Sequence, residues 1–311
     1  DPRAIQSRAE DVQQRTVPEG VWYLTAAVDV QKSRFVVQVI GWGEAGERWL
    51  IDRFSIRHSH RYDGAGQAEP IDPAARVEDW WLLVNLVMHK VYPLAWDEKR
   101  GLRPVMTAGD SGGKAGVTER AYLFWRRLRG QGLHQRYMLV KGGSQKEAPR
   151  IKKSYPDATK RVQQNRANAR GEIPVWLLNT LILKDAVAAD LERAEPGPGY
   201  IHFPAWLAAW FFDELTAETR TAKGWENLGG ARNEAFDLMV YNSAAMLALG
   251  GDKLTMERRP GWANPETAAI PIETPPPAVK PPPGKQEQRP AAPSAGGSFI
   301  SRPSGQPWIR R

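Results

Sequence analysis

Cysteine is absent from all 311 residues. Its absence excludes disulfides and thiolate metal sites and fits a reducing, cytoplasmic setting. No apolar stretch approaches the roughly 18 residues that span a bilayer, so no membrane partner is expected. The start, Asp1-Pro2-Arg3-Ala4, lacks the apolar core of a signal peptide. It also lacks Met, so a longer protein with an upstream domain is expected. There is no internal repeat. Acidic residues are the minority among charges, 35 against 43 Lys and Arg, for a net charge of +8. That balance favours a polyanionic partner, although solubility alone would also account for it.

Against this background three carboxylates stand where a charge is expensive. Asp29 ends the apolar run Val21 to Val28, Asp110 ends Pro104 to Gly109, and Asp237 lies within Ala235 to Tyr241, a helix apolar nearly all round. A buried, unpaired carboxylate costs several kcal/mol or more, so it tends to be paired, protonated or bound to metal. Each has a plainer reading: Asp29 can start a turn, Asp110 can cap Ser111-Gly112-Gly113, and Asp237 can pair with a buried Lys or Arg. Together they point to one divalent-metal centre. Glu234, three residues before Asp237 on the same helix face, is a secondary ligand candidate or an ion-pair partner.

The positive charge is concentrated. Between Lys141 and Glu172 lie nine cations (Lys141, Lys146, Arg150, Lys152, Lys153, Lys160, Arg161, Arg166, Arg170) against three acids, an excess of +6. Apolar residues are few there, so a loop or extended arm that grips phosphates is expected.

Residues 1–20 read as a linker from a missing upstream domain. Val21 to Arg57 reads as three antiparallel strands, with Tyr23, Thr25, Ala27 and Asp29 on one face of the first. A polar excursion follows over 58–73, then a helix over Val77 to Val91, a fourth strand ending near Asp110, and a helix over Thr118 to Gly130 capped by Thr118. Further strands are expected at 137–140 and 174–178. The last helices are placed at 181–193, 206–219 and 233–249. The body is expected over 21–250. Residues 251–311 read as a Pro-rich tail: 13 of the 25 prolines fall in 260–311, a composition expected to be disordered. The order of elements is that of an α/β, ribonuclease-H-like mixed sheet flanked by helices. In that layout the first and fourth strands are neighbours, so Asp29 and Asp110 end side by side.

Oxygen ligands without cysteine suit Mg²⁺ or Mn²⁺. Two such ions support phosphodiester hydrolysis, with Asp29 bridging and Asp110 and Asp237 completing the sites. The stretch Gly109-Asp110-Ser111-Gly112-Gly113-Lys114 fails the P-loop pattern, since Ala108 and Ala115 stand where Gly and Ser or Thr are required.

Several stretches in this order resemble the large subunit of lambda-type tailed-phage terminases, over Val21 to Gly250. They are Ala27-Val28-Asp29-Val30-Gln31, Val39-Ile40-Gly41-Trp42-Gly43, Asp110-Ser111-Gly112-Gly113, Lys141-Gly142, Tyr200-Ile201-His202-Phe203-Pro204 and Asn233 to Tyr241. The resemblance implies a nuclease domain that cuts concatemeric double-stranded viral DNA in the host cytoplasm, with metal-binding carboxylates at Asp29, Asp110 and Asp237. It implies an upstream ATPase domain, a small terminase subunit, and a portal protein docked by the C-terminal tail. Lys184 matches a lysine the family often carries, read as a DNA contact or a support. The competing readings are a non-catalytic DNA-clamping and portal-docking module, and another enzyme of this fold such as a transposase or junction resolvase.

Overall fold

The computed structural model describes residues 1–113, 115–143, 147–156 and 169–272. Lys146, Lys160, Arg161, Arg166 and the tail 273–311 lie outside the described residues. Strands β1 (Tyr23–Val30), β2 (Phe35–Trp42) and β3 (Arg48–Ile56) form the expected antiparallel meander. Gln31 N–H closes the first turn on the Arg34 carbonyl at 3.0 Å. The chain then crosses to the other side of β1. There β4 (Pro104–Asp110) runs parallel to β1, and β5 (Tyr137–Gly142) parallel to β4. With β6 (Ile151–Ser154), β7 (Val175–Leu178) and β8 (Ile201–His202) the sheet has eight strands, in the order β6-β7-β5-β4-β1-β2-β3-β8.

Five helices matter to the site: α1 (Pro2–Gln6), α2 (Val117–Gly130), α3 (Thr180–Leu191), α4 (Ala209–Leu215) and α5 (Glu234–Ala248). The two-residue alternation of β1 sorts its side chains between two cores. Leu24, Ala26 and Val28 join Trp80, Phe124 and Leu139 beneath α2. Tyr23 joins Trp42, Phe212 and Phe236 beneath α4 and α5. The result is a mixed α/β fold, a large mixed sheet covered by helices on both faces. Burial on both faces explains why β1 and β2 read as near-continuous apolar runs.

Several expectations change. The helix expected over Val77 to Val91 is a 3₁₀ turn (Val77–Trp81) followed by a π turn (Val84–Met88). Trp80, Trp81, Leu82, Leu83 and Val84 are consecutive and all buried. With neighbours on every side, tertiary packing rather than one amphipathic face sets the winding. The polar excursion holds a small strand pair, His58–Tyr62 with Ala68–Pro70, and the charged run Asp97–Leu102 pairs with Tyr92–Leu94. Thr118 does not cap α2. Gly116 occupies that position, and the Thr118 hydroxyl donates to the Ser111 carbonyl at 2.7 Å. Part of the expected basic arm is regular structure, because β6 is an edge strand antiparallel to β7.

Residues 1–20 and the described start of the expected tail, 251–272, pack against the body. Val17 is buried and its N–H donates to the Pro93 carbonyl, and Glu10 N–H donates to the Phe203 carbonyl, each at 2.8 Å. The Glu10 carboxylate also meets His202 Nδ1 at 2.7 Å. Beyond Gly250, Trp262 packs edge-on against Tyr23 at 5.1 Å, and Ile270 pairs with Gly101. No helix among the described residues is long and apolar enough to cross a membrane.

Candidate active site

The register of β1 on β4 sets Val28 beside Gly109. The next residues in each strand, Asp29 and Asp110, therefore end side by side at the C-terminal ends of two parallel strands. Both have the parity of Tyr23 and Ala108, so both face α5. Position 109 tolerates only glycine, since an added Cβ would lie 1.8 Å from the Tyr137 hydroxyl.

A buried polar chain fixes α5 over these ends. Trp42 Nε1 donates to Thr25 Oγ1 at 2.8 Å, Thr25 Oγ1 donates to Asn242 Oδ1 at 2.7 Å, and Asn242 Nδ2 donates to the Gln38 carbonyl at 3.2 Å. Asn242 thus locks the helix to β1 and β2, which holds Asp237 in the first turn of α5 across from the two strand-end carboxylates. The three acids expected to converge sit within electrostatic reach of one another.

Their protonation reflects that neighbourhood. Burial pushes the Asp29 carboxyl from 3.8 up to about 6, helped by the charges of Asp110, Asp237 and Glu234 and opposed by a hydrogen bond from Gln31 Nε2 to Oδ2 at 2.5 Å. Burial and the charge of Asp237 raise the Asp110 carboxyl, while the Gly112 N–H at 2.9 Å and the Lys141 ammonium pull it down. Burial and Glu218 raise Asp237, against Lys184 and Asn233. Tyr241, one turn along α5, is held well above its ordinary value by burial and the charges of Asp110, Asp237, Asp29 and Glu218, and so stays protonated.

Lys184 is the cation at the centre of this cluster. It is buried on α3, and its Nζ lies 2.6 Å from Glu218 Oε1 and 2.8 Å from Asp237 Oδ1. Of its two readings, a DNA contact or a support, burial and two carboxylate partners fit the support. The plainer reading of Asp237, pairing with a buried lysine, therefore also holds. Glu234, the secondary ligand candidate, is ion-paired with Arg34 and lines a neighbouring cleft. Lys141 is exposed next to Asp110, Lys152 and Lys153 are exposed on β6, and Arg150 pairs with Asp252 at 2.8 Å.

Sequence reasoning missed Glu218 and the role of Asn233. Asn233 Nδ2 bridges Glu218 Oε1 at 2.5 Å and Asp237 Oδ2 at 3.0 Å, and its side chain makes no cap bond to α5. Glu218 Oε2 is buried without a hydrogen-bond partner.

Among the described residues, no three His, Cys, Asp or Glu side chains are grouped closely enough to enclose a metal ion alone. The donor set nevertheless fits a hard divalent ion. It is all oxygen and anionic, and its mutual repulsion would be relieved by a dication. Mg²⁺ commonly takes one or two carboxylates and completes its shell with water and substrate phosphate.

Fold and cluster together define a mixed α/β domain with an acidic, all-oxygen site at adjacent strand ends. The family model described as terminase large subunit gpA, endonuclease domain, matches residues 1–257, and the chain belongs to that family. It is 28% identical over 245 residues to the terminase large subunit of Escherichia phage lambda, covering 74% of this chain and 33% of that relative. The chain thus spans about a third of that relative's length. No solved structure matches.

Proposed function

We propose that this chain is a ribonuclease-H-like, metal-dependent endodeoxyribonuclease module that cuts double-stranded viral DNA during packaging. The observation that carries the reading is the pairing of Asp29 with Asp110 at adjacent parallel strand ends beneath Asp237. Asp29, Asp110 and Asp237 would hold the cations. When bound, two ions such as Mg²⁺ or Mn²⁺ supply an acidified water and charge stabilisation for the leaving oxygen.

The chain's own part is to orient and to hold charge. Gln31 fixes Asp29 Oδ2, the Gly112 N–H fixes Asp110 Oδ1, and Lys184 with Asn233 fixes both oxygens of Asp237. Asp29 must lose its proton to act as a ligand, and a bound dication would favour that deprotonated form against the burial that raises its pKa. The exposed Lys141, Lys152 and Lys153 would hold backbone phosphates. In the family setting the partners would be an upstream ATPase domain, a small terminase subunit and a portal protein reached by the tail, in the host cytoplasm.

A second reading, a non-catalytic DNA clamp and portal-docking module, is favoured by one observation: Lys184 already engages an Asp237 oxygen that a cation would need. Plasmid cleavage with Mn²⁺, Mg²⁺ or EDTA decides between them. Metal-dependent cutting that drops at least ~10²-fold in Asp29→Asn, Asp110→Asn and Asp237→Asn is expected. DNA binding without cutting under any metal would favour the clamp.

A further inference from the structure

Beside the acid cluster lies a cleft of about 670 Å³ that neither the carboxylates nor the basic segment accounts for. Its lining sets Arg34, Arg53, Arg57, Arg232 and Trp210 against the carboxylates of Asp213, Glu214 and Glu234, a small excess of positive charge. The first two guanidiniums are anchored. Arg34 pairs with Glu234, and Arg53 with Glu214 at 2.8 Å, so both are held in place by buried carboxylates. Arg57 and Arg232 are exposed. Trp210 on α4 is 51% exposed, with the Arg53 guanidinium 5.9 Å from its ring centroid. The cleft adjoins the carboxylates, since Glu234 lines it and the charges of Glu234 and Asp29 both act on Arg53.

An exposed indole among fixed and free arginines suits a ligand with a flat apolar face and an anionic backbone. In duplex DNA both base faces are already stacked, so Trp210 can take a base only from an unpaired strand. We propose that this cleft binds a single-stranded DNA segment next to the cleavage centre, with a base stacked on Trp210 and phosphates on Arg57 and Arg232. The proposal rests on the reading that the chain acts on DNA, and it adds an unpaired-strand site on the β3–α4 side, away from Lys141.

The test is fluorescence anisotropy of the whole chain in EDTA, with a labelled oligodeoxythymidine and, separately, a labelled duplex. Trp210→Ala should weaken single-strand binding about tenfold while duplex binding changes less than about twofold, and Trp210→Phe should retain most of the affinity. The double variant Arg57→Ala/Arg232→Ala should make the single-strand salt slope shallower by about 1 to 2. Equal single-strand affinity for wild type and Trp210→Ala overturns the proposal, as does a wild-type chain that does not bind the single strand. Asp110→Asn separates the two readings. It should bind the single strand as wild type does while losing cleavage, and a chain that never cuts but keeps the Trp210 dependence sinks the nuclease and leaves this cleft standing.

Discussion

Two aspartates of one sheet, on β1 and β3 with β2 between them, are buried to similar depth in opposite surroundings. Asp52, on β3, is fully buried, yet everything around its carboxylate is a donor. Lys90 Nζ lies at 2.7 Å, Tyr92 Oη at 3.0 Å, Arg15 Nε at 3.2 Å and the Arg53 N–H at 3.0 Å. Asp29, on β1, is 9% exposed and has one side-chain donor, Gln31, among three other acids. Burial therefore does not distinguish a structural carboxylate from a functional one. What distinguishes them is the sign of the neighbours. Asp52 is satisfied by the fold, whereas Asp29 is crowded by like charges, the condition that a bound cation would relieve under the proposed function.

That contrast can be broken in order of effect. Asp52→Ala should destabilise the protein most, by about 4 kcal/mol, because it removes the acceptor of the buried Tyr92 hydroxyl and the Arg53 N–H as well as the partner of Lys90 and Arg15. Urea unfolding measures it, and cleavage per folded molecule should be unchanged. A loss below about 1 kcal/mol would mean the pairs are solvated after all. Lys184→Gln should cost about 3 kcal/mol by leaving Glu218 and Asp237 beside one another without a cation. It should also move the acid limb of the pH–rate profile upward, since Lys184 holds the Asp237 carboxyl down. An unmoved limb would show that Asp237 does not titrate in the reaction.

The smallest effect has the opposite sign. The folded chain raises Asp29 from 3.8 to about 6, so it binds that proton more tightly than the unfolded chain does. Stability falls as pH rises from about 4 to 6 and stays lowered above that. Asp29→Asn should therefore raise the stability of the metal-free protein by about 2 kcal/mol near pH 8 and by almost nothing near pH 4. Denaturation curves at the two pH values check it. A loss of stability near pH 8 would place Asp29 with Asp52 as a structural residue.

The pairing of Asp29 and Asp110 was legible because alternation fixes each residue's parity and the order of elements suggests a layout in which the first and fourth strands are neighbours. Asp237 was legible as a charge inside an apolar helix. Glu218 was not: the sequence places it in a helix over 206–219, but α4 ends at Leu215, and Thr216-Ala217-Glu218-Thr219 leaves the helix with no pattern to mark 218 as buried. Lys184 was noticed, but its inward direction depends on where α3 packs, which local spacing leaves open. Asp52 drew no attention because its donors come from residues 15, 53, 90 and 92, brought together only by the sheet. The Val77 to Val91 helix failed because five consecutive buried side chains obey packing on all sides rather than a single face.

Lys152 and Lys153 belong to the outermost strand of the sheet, where, among the described residues, no further strand pairs the side facing away from β7. Charged side chains on such a rim deter another molecule's strand from adding to it. The two lysines therefore guard the rim as well as serving the proposed DNA contact, and neutralising both is expected to open the sheet to self-association. A variant made to weaken DNA binding there would change the protein's colloidal behaviour too, and substituting glutamate rather than alanine keeps the rim guarded while reversing its charge toward phosphate.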